Sequence, residues 1–268
     1  IIFSGFIMII LTCFCVYAQC PDGFEEDDAG NCIGSENAVI PEDYTGNLDC
    51  SQGCVAADGS EVTGSVEVTD LGVVLNEGAT ATTAAGGSVT APATINNDGS
   101  VSLSGGSYSK ANIQVTGTAI MGSEGTWDVG PEGAEINDVP IGNAEGVTLS
   151  ADGETLTGTA GNNCEVSGLI FDEGEEFEIS LDDGGGLIIS KGTATFGPDF
   201  NPAEHGDSFA AEGEGDIELP NGALVTSGKV EFEDAPDEDI FRILSGSEYE
   251  HDGNSYRVNE GYMRYAEG

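Results

Sequence analysis

The chain has 268 residues, and its 49 Asp and Glu against six Lys and Arg give a formal charge of -43 at pH 7. A field of that sign repels phosphate backbones and anionic bilayers, which excludes nucleic acid as a partner and any membrane contact beyond an apolar leader. A 38% hydrophobic fraction argues against wholesale disorder, so the repulsion is met either by screening salt or by cations held between acids.

Residues 1–18, IIFSGFIMIILTCFCVYA, are an uncharged apolar run ending in Val16-Tyr17-Ala18. This is the pattern of a signal peptide cleaved after Ala18, with an uncleaved anchor as the alternative reading. The run starts at Ile1 with no preceding cation, so the leader is expected to be truncated. An exported chain belongs outside the cell or on its surface, where disulfides persist. Cys13 and Cys15 fall within the leader, which leaves Cys20, Cys32, Cys50, Cys54 and Cys164. The first four allow three connectivities, and Cys20–Cys32 with Cys50–Cys54 is the most local. Cys164 is then either a buried thiol or the partner of another chain's thiol. Residues 20–32, CPDGFEEDDAGNC, resemble the final loop of EGF-like domains, where Cys-Pro-x-Gly-Phe precedes a Gly and a closing Cys. The chain lacks that domain's full cysteine set, so the resemblance implies only a small, disulfide-closed acidic cap. Polar sequence with Pro41 continues it to residue 58, and a boundary near residue 59 separates this Cys-rich cap and linker (19–58) from a β-rich domain (59–268).

Within that domain, apolar residues alternate with polar ones. Val62, Val66 and Val68 share a face, as do Val101 with Leu103, and Ile113, Val115, Ala119 and Met121. Phe177-Glu178-Ile179-Ser180-Leu181 repeats the pattern. No ten-residue stripe of helical period follows the leader, so the expected fold class is all-β. Glycines in turn-like settings, Gly78, Gly99, Gly125, Gly146 and Gly174, follow one another at 21, 26, 21 and 28 residues. Small residues fill the strands between, with Tyr108 and Trp127 the only aromatics over 79–165. That period matches one coil of a β-solenoid, and the texture resembles secreted and surface proteins built on a parallel β-helix. An antiparallel β-sandwich is the alternative. The C-terminal end reads as hairpin-rich, because Asn221-Gly222 and Asp252-Gly253 each separate two strand-like runs.

Chemistry-bearing patterns are sparse. The only histidines, His205 and His251, have no ligand-like spacing to each other or to Cys. Phosphate-cradling loops are absent, so no nucleotide cofactor is expected. Asp182-Asp183 is a carboxylate pair of the type that hydrolyses glycosides, which keeps a carbohydrate-active β-helix enzyme in view. Oxygen-rich loops at Asp27, Asp28, Asn97, Asp98, Asp182 and Asp183 suit weak calcium binding, although none forms an EF-hand loop. The leading expectation is a non-catalytic structural or adhesive protein whose partners are other surface proteins or glycans. The polysaccharide-acting enzyme and a calcium-stabilised binding module are the competitors.

Overall fold

The computed structural model describes residues 20–122, 124–181, 186–197, 200, 207–235 and 238–266, and these form strands and turns without helix. β1 (Phe24–Glu26) and β2 (Cys32–Gly34) make an antiparallel hairpin. β2 and β3 (Ala38–Val39) then pair in parallel with opposite halves of β4 (Gly46–Val55), at Leu48–Asp49 and Cys54–Val55. From β4 the chain meanders. β5 (Glu61–Thr69) pairs with β4, with β6 (Gly72–Leu75) through its second half and with β7 (Thr80–Thr82) through its first. β8 (Ser88–Thr90) and β9 (Ala93–Asn96) likewise cover the two halves of β10 (Val101–Lys110).

Four long strands follow, each antiparallel to the one before: β11 (Ile113–Met121), β12 (Trp127–Ile136), β13 (Val139–Leu149) and β14 (Thr155–Val166). β14 meets β15 (Leu169–Phe171) on one half and β16 (Glu176–Leu181) on the other, and both pair onward to β17 (Leu187–Phe196). β17 runs parallel to β18 (Ser208–Glu218), which pairs with β19 (Leu224–Ala235). β19 carries β20 (Glu238–Leu244) and β21 (Glu248–His251) on its halves, followed by β22 (Asn254–Arg257) on β21 and β23 (Tyr262–Ala266) on β20.

The long strands slip register near their middles, and glycine in the left-handed region often stands at the slip, as at Gly105 (φ 102°) in β10 and Gly117 (φ 106°) in β11. These are β-bulges, each bending its strand. Stacked strand upon strand they make a crease that divides the sheet into two limbs. The first limb contains β1, β2, β6, β9, β16, β20 and β23. The second contains β3, β7, β8, β15, β21 and β22, and the long strands cross from one to the other.

Apolar side chains of both limbs point into one core. Aromatic contacts cross it: Tyr108 of the second limb meets Trp127 of the first at 5.2 Å, and Phe196 meets Phe209 at 5.1 Å and Phe241 at 4.8 Å. Hairpin tips of the limbs meet along a seam, where Asn112 Nδ2 donates to Ala151 O at 2.7 Å and Asn137 Nδ2 to Gly153 O at 3.2 Å. The section is thus a flattened tube with a crease on one side and a seam on the other. Each fully buried Leu, Ile, Val or Phe contributes on the order of 2 kcal/mol, so the long row of them, from Leu48 to Ile243, holds the limbs together.

The all-β expectation stands, and a parallel β-helix does not describe the pairing. Strands between residues 61 and 196 pair antiparallel wherever the structure describes them, and parallel neighbours are confined to β2–β4, β3–β4 and β17–β18. The glycine period has a different origin. Two ten-residue strands and their turns return the chain to the same edge after about as many residues as a solenoid coil. Gly99 and Gly125 sit at hairpin tips, where each amide donates to the residue three before it, Asn96 O at 2.9 Å and Gly122 O at 3.0 Å. Gly78 and Gly174 mark turns at the crease, and Gly146 a bulge inside β13. The antiparallel alternative is closer to what forms, with the two faces joined by a crease.

Both expected disulfides are present, Cys20–Cys32 and Cys50–Cys54. The second closes the bulge of β4, which slips register between Cys50 and Cys54. β4 pairs with β5 across residue 59, so the cap and the body share one sheet. The leader lies outside the described residues.

Candidate functional site

A wide gap in the ladder lies between β12 and β13. Their pairing jumps from Val129↔Ala144 to Ala134↔Ile141, leaving Gly130-Pro131-Glu132-Gly133 to bulge outward. Pro131 cannot donate to a ladder, and two flanking glycines tolerate the bend. An open hollow flanks this bulge on each limb. One, of about 490 Å³, is bordered by Thr116, Glu132, Glu135, Pro140 and Glu165. The other, of about 420 Å³, is bordered by Ile120, Asp128, Asn143, Glu145 and Asn162. Thr116 Oγ1 donates to Glu135 at 3.5 Å, and Asp128 accepts from the Gly146 amide at 2.9 Å, so part of this acidity maintains the bulges themselves. The remaining carboxylates face solvent and offer acceptors to hydroxyl-rich or cationic ligands.

The acids expected to bind calcium are dispersed. Asp27 and Asp28 lie in the β1–β2 turn, where Asp27 accepts from the Ala29 and Asn31 amides at 2.9 and 2.8 Å and from Asn31 Nδ2 at 3.0 Å. Those bonds hold its carboxyl below the ordinary range, the Asn31 side chain contributing most. Asp98 does the same work at the β9–β10 tip, accepting from Ser100 N at 2.9 Å and Ser100 Oγ at 2.6 Å, and these bonds lower its pKa too. Asn97 Nδ2 donates to Asp70 O. The bonds of Asp27 and Asp98 are Asx-type turn bonds, the reason such residues recur at tips, whereas that of Asn97 ties two turns together. Among the described residues no group of three or more His, Cys, Asp or Glu is placed to hold a metal ion. Asp182, Asp183 and His205 lie outside the described residues.

Sequence reading missed the acids gathered around Asp216. This half-buried residue of β18 has its carboxyl pushed up, first by burial and then by the neighbouring charges of Glu250 and Glu175. Glu175 accepts from the Thr193 amide at 2.7 Å through one oxygen, and its other oxygen is buried without a hydrogen-bond partner among the described residues. Beside it, Lys191 pairs with Glu176 on the exposed surface. The three acids come from three distant strands or turns, and no local motif announces their meeting.

Cys164 is fully buried with a free thiol, which burial pushes up to about 11. The first of the two expectations for it therefore holds, and a thiol so rarely ionised is a packing group and a poor nucleophile. His251, at the end of β21, lies 3.7 Å from Asp252 Oδ2, and its ring stands 6.0 Å from that of Tyr265. Comparisons with family models, curated proteins and solved structures find no match for the chain, and so give no support to either an EGF-like or a β-helix kinship.

Proposed function

We propose that the chain is a non-catalytic structural or adhesive module of the cell surface or extracellular space, whose acidic exterior contacts other surface proteins or glycans. The observation that carries this reading is the division of side chains across both limbs: apolar residues fill the inner face in every row, and carboxylates occupy the outer face and the turns. Such an arrangement displays a long acidic flank on a rigid support. Two disulfides fit an oxidising compartment. The test is binding of the full chain to a panel of acidic and neutral glycans and to intact cell surfaces, together with an assay for released reducing ends. Saturable binding without release is expected.

The acid-bordered hollow beside Glu132, Glu135 and Glu165 supports the second reading, a carbohydrate-active enzyme using a carboxylate pair. Sustained release of reducing ends, abolished by Glu135→Gln or Glu165→Gln, would replace the first reading with this one.

A further inference from the structure

Glycine inside a strand weakens it, so a glycine there calls for a reason. For most glycines of this chain the reason is visible: Gly117 stands at φ 106°, and at Gly106 a methyl group would meet Thr90 O at 2.3 Å. Gly130 of β12 and Gly142 of β13 have neither. Both lie outside the left-handed region, and a methyl group at either would have nothing within 4 Å. What they share is their place. Gly130 lines the hollow of about 420 Å³ beside the β12 bulge, and Gly142 lines that of about 490 Å³. The two hollows adjoin, since consecutive residues divide between them on each of three neighbouring strands: Gly117 and Thr118 of β11, Gly130 and Pro131 of β12, Gly142 and Asn143 of β13. Side chains at 130 and 142 would fill this surface. Strand glycine without a conformational need marks a backbone that something else approaches closely.

The groups around the hollows select what that is. No Lys or Arg among the described residues borders either one, and Glu132, Glu135, Glu145 and Glu165 do, so an anionic ligand is repelled. Asn143 and Asn162 add side-chain amides that no turn or strand engages among the described residues. Carboxylates only accept, whereas amides also donate, and a cationic ligand would leave those donors idle. A hydroxyl both donates and accepts, so it matches the two kinds of group together. Ile120, 52% exposed at the border of the smaller hollow, adds an apolar surface of the size that the C–H face of a sugar ring covers. Each hollow lies within the roughly 300–1,000 Å³ of small-ligand sites.

We propose that a neutral oligosaccharide lies along the outer surface of the crease, over Gly130 and Gly142, with its hydroxyls on the bordering carboxylates and the Asn143 and Asn162 amides and a ring face on Ile120. This inference rests on the glycan-binding reading above and narrows it to uncharged sugars at one place. The acidity of the flank then acts as a filter, since it turns uronates and sulfated chains away while the amides and glycines admit their neutral counterparts.

Titration calorimetry of the full chain tests it, with neutral oligosaccharides of glucose, mannose, galactose and xylose and with oligogalacturonate as the acidic control, at about 0.1 M and about 1 M NaCl. The expected result is binding of a neutral oligosaccharide, unchanged by salt, and none of oligogalacturonate. Gly130→Leu and Gly142→Leu fill the hollows and abolish that binding, with circular dichroism and Tm as the check that the fold is kept. Asn162→Ala removes one amide and weakens binding about threefold to tenfold, the share of one hydrogen bond, and it serves if a glycine variant does not fold. A neutral sugar that still binds both glycine variants and Asn162→Ala as it binds the wild type overturns this site while the wider glycan reading stands. Preference for oligogalacturonate, or binding that is lost at 1 M NaCl, overturns the neutral-sugar chemistry. Absence of binding to every sugar also overturns the proposal, and then only protein partners remain for the wider reading.

Discussion

At Gly215 in β18 a methyl group would stand 2.0 Å from Ile189 O and 2.5 Å from its carbonyl carbon, because β17 and β18 approach across the crease. At Gly130, on the outward bulge of β12, nothing lies within 4 Å. Neither residue needs a left-handed backbone, so the comparison isolates close approach from conformation. Gly215→Ala is expected to cost about 2–3 kcal/mol, and Gly130→Ala to stay within about 0.5 kcal/mol, in denaturant unfolding. Equal effects would show that the crease tolerates widening. Asp216 supplies a test of charge. Its pKa is raised on folding, so the folded chain holds that proton more tightly than the unfolded chain, and stability falls as pH rises through the raised value. Asp216→Asn should therefore raise Tm at pH 7, with the gain closing as pH drops below the ordinary 3.8. A lower Tm at pH 7 would mean that the carboxylate is a needed acceptor. Cys164 should react with a thiol reagent only at the rate of global unfolding, since burial raises its pKa to about 11. Rapid stoichiometric labelling of the native chain would contradict its place in the core. The turn at Gly99 was legible in sequence, whereas Asp27 was read as a calcium ligand and the crowding of Asp216 was not visible, because Glu175 and Glu250 reach it only through sheet pairing.

Among the elements, the hairpins divide by how visible they were. Asn221-Gly222 forms the expected tip, with Leu219 N donating to Ala223 O at 2.8 Å and Asn221 Oδ1 accepting from the Ala223 amide. Asp252-Gly253 forms a two-residue turn with both residues at positive φ. Asn137-Asp138 and Ser167-Gly168 do the same between β12 and β13 and between β14 and β15, although neither carries the Asn-Gly or Asp-Gly signature. Asn137 is supported from outside its turn, accepting from Gln114 N and donating to Asn112 O. Tertiary hydrogen bonds thus select a left-handed pair that local preference leaves unmarked. The N-terminal row depends on its crosslink more than on burial, since β1 to β3 are two or three residues each. Replacing Cys20 and Cys32 together by Ser should speed hydrogen exchange over residues 22–40 and leave β10 to β14 protected. Loss of protection in both regions would show that the cap and the central strands unfold as one unit.

For the whole molecule the strongest electrostatic influence is the charge of -43. Carboxylates on the outer faces repel one another through solvent, and the screening length falls from about 10 Å at 0.1 M salt to about 3 Å at 1 M. Tm is therefore expected to rise by several degrees over that range, measured by calorimetry in NaCl. Millimolar calcium added at 1 M NaCl, where screening is already complete, should add nothing further, because among the described residues no three acids converge and Asp27 and Asp98 are bound to their own turns. A further rise would show a specific cation site and favour the calcium-stabilised module. An unchanged Tm across the NaCl series would mean that the acids are spaced widely enough for their repulsion to be negligible.

What the sequence determined by itself is the local physics. Period-two alternation placed Val62, Val66, Val68, Val101 and Leu103 on the buried face, and all five are buried. Turn chemistry located the tips at Gly99, Gly125 and Gly222, and proximity paired the four N-terminal cysteines. Tertiary structure decided the rest. A hairpin of two ten-residue strands and a solenoid coil have nearly the same length, so spacing cannot reveal whether neighbours run antiparallel or parallel. Only the pairing of the limbs does, and it also assigns Gly78 and Gly174 to turns at the crease and Gly146 to a bulge within β13, and brings Asp216 between Glu175 and Glu250.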